Sequence, residues 1–251
     1  MLWLVRSSIR RIYLLGPALI VWNGYERCNA EGVTFILTSR VHAGLCVSDS
    51  RTIRPMLILA STSPRRQELL RNAGIPFEVR TPKIHEIRRH GEGAEDYVVR
   101  LAKEKAEDAA HQLGGNQLVV LGADTTVVVD EEILEKPSDP ADAVRMLRLL
   151  SGRSHQVMTG VCLLVRDSKN SNSLTAIEKT TVIFRSLGEE EIQSYVATGE
   201  PLDKAGAYAI QGRASRWIPR IEGCYFNVVG LPVPLVYRML EEHAPWMMDH
   251  R

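Results

Sequence analysis

From Leu118 to Val129 the chain reads Leu-Val-Val-Leu-Gly-Ala-Asp-Thr-Thr-Val-Val-Val, with Asp124 its only charged residue. A β-branched, nearly uncharged run of this kind suits a central strand buried on both faces, which needs a layer of helices on each side. Asp124 interrupts it. An unpaired carboxylate inside such a strand is costly, so Asp124 is expected at the strand's end, paired, or facing a cleft. Ligands of open α/β sheets bind at the carboxyl ends of strands, where an aspartate could hold a divalent metal or orient water. Capping of a neighbouring loop is the plain structural alternative.

The flanking segments alternate in the same sense. Leu57–Ala60 reads as a strand, Ser61–Pro64 as a tight loop, and Arg65–Asn72 as a helix, with Ser63 at its N-cap and Pro64 in its first position. Helices are expected at Asp96–Leu113, Asp139–Leu150, Glu189–Thr198 and Leu231–Glu242; strands at Val157–Arg166 and Thr180–Phe184, with the polar stretch Asp167–Ser173 as a hairpin loop. Strands alternating with helices indicate an α/β protein with a mixed sheet. No repeat or linker follows Met56, so residues 56–243 read as one domain and 244–251 as a C-terminal tail.

Charge divides the chain. Its 251 residues carry a formal net charge of +1, but residues 1–55 hold seven arginines against three acids, and the remainder 24 basic against 27 acidic residues. The +4 leader and the −3 body are different kinds of sequence. A body with that balance lacks the basic excess a nucleic-acid-coating protein needs. In the leader, Arg6, Arg10 and Arg11 precede an apolar run from Ile12 to Trp22 that has the outline of a secretory signal. It is short for a membrane span and is interrupted by Gly16-Pro17, and an arginine-rich transit peptide is a further reading. Because Met56 opens directly onto Leu57-Ile58-Leu59-Ala60, the reading favoured here is a natural start at Met56, with residues 1–55 as a non-domain extension. Recovery of native peptides from residues 1–55 would remove it. Four cysteines without a close pair suit neither a disulfide scaffold nor a zinc ribbon, so a reducing, cytoplasmic location is expected.

Several segments carry groups that suit phosphate. Ser61-Thr62-Ser63-Pro64-Arg65-Arg66 places helix-start amides, hydroxyls and two guanidinium groups where an anion would sit, though an ordinary capped helix with solvated arginines fits equally. Lys136 in Glu135-Lys136-Pro137 reads as a phosphate contact or as a solvated lysine. Gly152-Arg153-Ser154-His155 is as easily a polar turn, and His155 alone is more often structural than catalytic. Asp203–Tyr208 followed by Ile210-Gln211-Gly212 offers small residues, Lys204, and an amide able to read a base edge. Scattered cations and isolated carboxylates, without a P-loop or a Ser/His/Asp arrangement, point to a polyphosphate substrate and metal-assisted water attack.

Taken in order with Gly122-Ala123-Asp124-Thr125 and Val229-Gly230-Leu231-Pro232, these motifs closely resemble the Maf family, from about Met56 to about Glu242. The resemblance implies an elongated α/β fold with a mixed sheet, flanking helices and two lobes around a deep central cleft, often dimeric. It implies a nucleoside triphosphate pyrophosphatase dependent on Mg²⁺ or Mn²⁺; from the charge balance of the body no nucleic-acid partner is expected, and no membrane partner either. By the same resemblance Asp124 is the proton acceptor or a metal ligand, and Glu86 the second acidic position and metal ligand. Lys105 and Lys136 face the phosphates, Arg65 and Arg66 grip the triphosphate with Ser63 beside them, and Lys204 stands across the cleft. Arg65, Thr125 and Gln211 match the branch similar to dTTP/UTP pyrophosphatases. The branch acting on 7-methyl-GTP has Trp, Gln and Glu there. A nucleotide-binding regulator of septum formation is the alternative of another class.

Overall fold

The Leu118–Val129 run is one continuous strand. The computed structural model describes residues 56–115, 117–168 and 170–247, together with the backbone of two short strands, β1 (Ile12–Leu15) and β2 (Ala18–Val21), which pair antiparallel within a separate unit, Met1–Ser50. The other expectations for residues 1–55 lie outside the described residues.

The main unit follows the order β3 (Leu57–Ala60), α1 (Pro64–Asn72), β4 (Phe77–Val79), α2 (Ala94–Leu113), β5 (Leu118–Val129), β6 (Glu132–Leu134), α3 (Pro140–Leu150), β7 (Ser154–Arg166), β8 (Ser171–Ile183), α4 (Glu189–Val196), β9 (Arg220–Glu222), α5 (Tyr225–Val229) and α6 (Val233–His243). Short 3-10 turns at Glu200–Asp203, Ala205–Ala207 and Arg213–Trp217 join α4 to β9. The sheet runs β4-β3-β5-β7-β8-β9, with β6 also on β5; β4, β3 and β5 are mutually parallel and the other pairs antiparallel. It is the mixed sheet expected.

Helix α2 lies across β5 and β7 because two glycines let it approach. A Cβ on Gly122 would sit 2.0 Å from the Ala102 carbonyl oxygen, and one on Gly160 would sit 2.4 Å from the Val98 carbonyl. Contacts that short exclude any side chain, so the helix rests on backbone there. The helix face toward the sheet, Val98, Leu101, Ala102, Ala106, Ala109 and Ala110, recurs at three- and four-residue spacing and is fully buried. Lys105 lies on that same face.

Two apolar clusters flank the middle of β5. One gathers β3, α1 and α6 around Leu57, Leu59, Leu121, Leu163, Leu231 and Val236. The other gathers α3, α4 and the 3-10 turns around Val127, Leu147, Phe184, Tyr195, Tyr208 and Trp217. β5 contributes Val119, Leu121 and Ala123 to the first and Val127 and Val129 to the second, so Asp124–Thr126 forms a polar waist between two lobes.

Strand β8 begins earlier than the polar stretch Asp167–Ser173 suggests. It pairs with β7 from Ser171↔Arg166 to Ile183↔Ser154, while β9 pairs only Thr181–Ile183. The first half of β8 is therefore an edge with solvent-facing polar residues, and its composition looks like a loop.

Candidate active site

Asp124 lies mid-strand, opposite Gly160 on β7, yet beyond the end of its other neighbour, since β3 stops at Ala60 opposite Gly122. That missing neighbour opens one side of the waist. A cleft of about 540 Å³ occupies it, lined by the β3–α1 loop, the segment before α2, the middle of β5, Glu135-Lys136, residues 203–211 and the α5–α6 junction. Asp124 is 7% exposed and is both paired and cleft-facing.

Its partner is Lys105, whose buried Nζ donates to Asp124 Oδ1 at 2.6 Å and lies 2.8 Å from Glu86 Oε1. A buried ammonium between two carboxylates is the arrangement that makes each charge tolerable there. Burial pushes the Asp124 carboxyl above its ordinary range, against the opposing pull of the Lys105 and Arg66 cations. Burial also pushes Glu86 upward, but Lys105, with Lys136 and Arg66 behind it, outweighs that and holds Glu86 below its usual value. The two acids are thus set apart by environment, one toward accepting a proton more readily and the other toward staying charged.

Glu86 comes from an irregular segment that α2 fastens down. Arg100 donates to both carboxylate oxygens of Glu92 at 2.5 and 2.7 Å and to the Ile87 carbonyl at 3.1 Å, and the Arg100 hydrogen bond draws the Glu92 carboxyl down to about 2. The Lys83 amide donates to Asp108 at 2.7 Å.

The two arginines expected to grip phosphate together have different surroundings. Arg66 is buried and donates from Nε to the Gly230 carbonyl at 2.8 Å, from one terminal nitrogen to the Ala123 carbonyl at 2.8 Å and Ser61 Oγ at 3.1 Å, and from the other to Thr125 Oγ1 at 3.0 Å. Four of its five N–H groups therefore serve the protein frame, joining α1, β5 and the α5–α6 junction. Arg65 faces the cleft with its side chain 30% exposed and 3.9 Å from Asp203. Ser63 stands at the N-cap position of α1, with Pro64 next, but its side chain makes no capping bond among the described residues. The first amides of α1 and the Ser63 hydroxyl therefore border the cleft as anion donors.

Thr125 Oγ1 lies 2.9 Å from Thr159 Oγ1 and 3.2 Å from the Gly230 carbonyl, so it is part of the Arg66 web as well as of the cleft wall. Lys136 is exposed at the rim, and Gln211 lines the far wall. Lys204 Nζ donates to the Glu200 carbonyl at 2.6 Å and to Asp203 at 2.5 Å, leaving one proton for another acceptor. All ten residues expected of the site border this one cleft.

Two cleft residues escaped the sequence reading. Tyr97 donates its hydroxyl to Glu135, and burial with that neighbour raises the phenol's pKa. Tyr97 sits at core spacing on α2 and so reads as packing; Glu135 precedes Lys136 without a signal of its own. His155 is buried, with Nε2 2.8 Å from the Tyr208 hydroxyl and its ring edge-on to Phe184 and Tyr208, in keeping with its structural reading.

Among the described residues no group of three or more His, Cys, Asp or Glu has metal-holding geometry. The donor set nevertheless fits magnesium or manganese when substrate phosphates complete it. Asp124 and Glu86 are hard oxygen donors already converging on one cation, the Lys105 ammonium, and Mg²⁺ commonly takes only one or two carboxylates beside phosphate and water.

The family model described as Maf-like protein matches residues 56–243, three quarters of the chain. The chain belongs to the Maf family. Its relatives include the dTTP/UTP pyrophosphatase of Symbiobacterium thermophilum, 54% identical over 186 residues, which cover 74% of this chain and 93% of that protein. The dTTP/UTP pyrophosphatase of Salmonella typhimurium is 53% identical over 195 residues, covering 78% and 96%, and that of Koribacter versatilis 50% over 184 residues, covering 73% and 92%. Among solved structures, the Staphylococcus aureus Ham1 protein aligns with a TM-score of 0.40 at 17% identity, over 74% of this chain and 98% of that one. The Maf match spans both lobes and the waist, including every residue of the Asp124, Lys105 and Glu86 group. No helix among the described residues is long and apolar enough to cross a membrane.

Proposed function

We propose that this Maf-family chain hydrolyses dTTP and UTP to the monophosphates and pyrophosphate. The observation that carries the chemistry is the buried Asp124–Lys105 pair, with the half-exposed Glu86 on the same ammonium, at the floor of a cleft whose rim holds the amides of α1, Arg65, Lys136 and Lys204. Relatives at 50–54% identity named dTTP/UTP pyrophosphatases, and the presence of Arg65, Thr125 and Gln211 on the cleft wall, support the choice of base.

In this reading the triphosphate lies along the α1 N-terminus, between Arg65 and Lys136 on one side and Lys204 on the other. Asp124, its carboxyl raised by burial, accepts the proton of the attacking water as the water oxygen bonds to phosphorus. Lys105 keeps the Asp124 carboxylate oriented and receives part of the charge that develops on the phosphoryl oxygens. The bond to the leaving pyrophosphate breaks as Lys136 and Arg65 offset its negative charge. Asp124 and Glu86 would hold a divalent cation, which supplies further charge neutralisation on the phosphates. Arg66 keeps the floor, the Thr125 hydroxyl and the Gly230 carbonyl in register. A cytoplasmic location and a homodimeric assembly accompany this reading through the family resemblance.

A pyrophosphate-release screen over the common triphosphates and 7-methyl-GTP, with magnesium, with manganese and with a chelator, tests it. Release from dTTP and UTP above the others, lost with chelator, is expected. A preference for 7-methyl-GTP overturns the choice of base, and tight nucleotide binding without release overturns turnover itself.

A further inference from the structure

Glu200 is not part of the cleft lining, yet it ties together two residues that are. Its backbone carbonyl accepts the Lys204 ammonium at 2.6 Å. Its carboxylate Oε1 accepts the Arg213 amide at 3.1 Å and the Tyr195 hydroxyl at 3.0 Å. Arg213 opens the Arg213–Trp217 turn immediately after Gln211-Gly212, so the carboxylate fixes the start of that turn two residues beyond Gln211. Tyr195 in turn is 1% exposed, with its ring centroid 4.9 Å from that of the fully buried Trp217. The carboxylate is therefore fixed from behind by the lobe's aromatic core.

The fit around it is close. A Cβ on Gly212 would fall 1.9 Å from Glu200 Oε1, so only glycine leaves room for the carboxylate beside the turn. From the other direction, Thr198 Oγ1 accepts the Glu200 amide at 3.2 Å and itself donates to the Tyr195 carbonyl at 2.6 Å, setting where the Glu200 backbone begins. Hydrogen bonds from a hydroxyl and an amide to a carboxylate are stronger than neutral pairs, and here two of them act on a single oxygen.

We propose that Glu200 is a positioning residue for substrate choice: its carboxylate holds the Gln211–Arg213 turn at the distance a pyrimidine base requires, while its carbonyl sets the reach of Lys204. This rests on the dTTP/UTP reading above. An amide can discriminate among bases only if its backbone is held still, because a hydrogen bond weakens steeply with small errors of distance and angle. Glu200 supplies that hold without touching the substrate.

The test compares kcat and KM for dTTP, UTP, CTP and GTP in the wild type, Glu200→Ala, Glu200→Gln and Gly212→Ala, with a thermal melt of each. Glu200→Ala is expected to lose the wild-type base preference by at least about tenfold, mostly through KM, with kcat on the best substrate changed less. Glu200→Gln keeps an oxygen for both donors and is expected to retain preference within about threefold. Gly212→Ala displaces the same carboxylate from the other side and is expected to behave like Glu200→Ala, which keeps the test open should the latter fail to fold. Unchanged preference in Glu200→Ala and Gly212→Ala, or an equal fall on all four substrates, overturns the assignment. A wild-type preference for another base overturns the dTTP/UTP reading instead, and the variants are then scored on that preference. Absence of wild-type release does the same, and the series is then scored on nucleotide dissociation constants.

Discussion

At the floor of the cleft Asp124, Lys105 and Glu86 hold one another by charge, across 2.6 and 2.8 Å, whereas residues 200–213 on the far wall are held by an aromatic core and hydrogen bonds to backbone. The floor keeps Asp124 and Lys105 on rigid elements, β5 and α2, and Glu86 on an irregular segment that Arg100 of α2 fastens down. The wall is irregular chain made rigid from behind by Tyr195, Tyr208, Phe184 and Trp217. Removing a charge from the floor changes the electrostatics of the chemical step, while loosening the wall changes where the substrate sits.

The largest effect belongs to Asp124→Asn. The amide keeps the shape and removes the proton acceptor, so kcat for pyrophosphate release is expected to fall about 10²–10⁴-fold, with KM little changed. The protein should remain folded, because the substitution also removes a desolvated charge and leaves Glu86 to pair with Lys105. A kcat within tenfold of the wild type would break the contrast, since the floor would then be no more chemical than the wall.

Lys105→Met tests the same region through stability. It leaves Asp124 buried without its nearest cation, a loss on the order of 3–5 kcal/mol in urea unfolding at pH 8. The sign follows from Asp124, whose folded-state pKa already lies above the ordinary value and rises further when Lys105 is gone. A raised carboxyl favours the protonated folded state, so the penalty shrinks as pH falls, and the variant's deficit at pH 5 should be smaller than at pH 8. An equal deficit at both would mean that packing, not charge, holds the floor.

The sequence made the two regions legible to different degrees. The strand through Asp124 was plain because twelve residues carry one charge, and the cost of burying that charge already required a strand end, a partner or a cleft. Which partner was not readable from periodicity, since Lys105 occupies a core position of α2 and Glu86 an irregular segment; they entered through the family resemblance. Arg66 shows the opposite limit. Its neighbour Arg65 has the same charge, but Arg66 bonds to the carbonyls of Ala123 and Gly230, and backbone partners leave no trace in composition. Strands β4, β6 and β9 have three residues each, too few for an alternation to show, and the outer half of β8 resembles a loop because an edge tolerates polar residues. Glu200 gives no sequence signal at all, as its role depends on a contact across Gly212.

Behind the wall, His155 on β7 supplies the pH-dependent test. Burial draws its pKa down to about 3, and its Nδ1 has no hydrogen-bond partner among the described residues. Below about pH 6.5 the unfolded chain takes up a proton that the folded protein refuses, so stability falls as pH drops from there toward 3, by about 1.4 kcal/mol per unit. His155→Phe is expected to lower stability at pH 8 by about 1–3 kcal/mol, through the lost partner of the Tyr208 hydroxyl, and to remove that acid slope. Urea midpoints at pH 8, 6 and 5 measure both. A variant with the wild-type slope would show that other groups carry the acid sensitivity of this lobe.

The smallest effect separates the stability of the lobe from the geometry of the wall. Asp139 caps α3, accepting the Asp142 amide at 2.8 Å, and α3 packs Ala143, Met146, Leu147 and Leu150 into the same apolar cluster as Tyr195 and Trp217. Asp139→Ala is expected to cost about 1 kcal/mol, and Asp139→Asn, which keeps a side-chain oxygen, only a fraction of that. Neither substitution reaches Glu200, Tyr208 or Gln211, so base preference and kcat should match the wild type while the melting temperature of Asp139→Ala falls by a few degrees. If preference instead drifts with melting temperature across the Asp139, His155 and Glu200 variants, the wall is positioned by the stability of the whole lobe. If preference moves only when Glu200 or Gly212 changes, the hold on Gln211 is local, and the lobe's core serves to keep that one carboxylate in place.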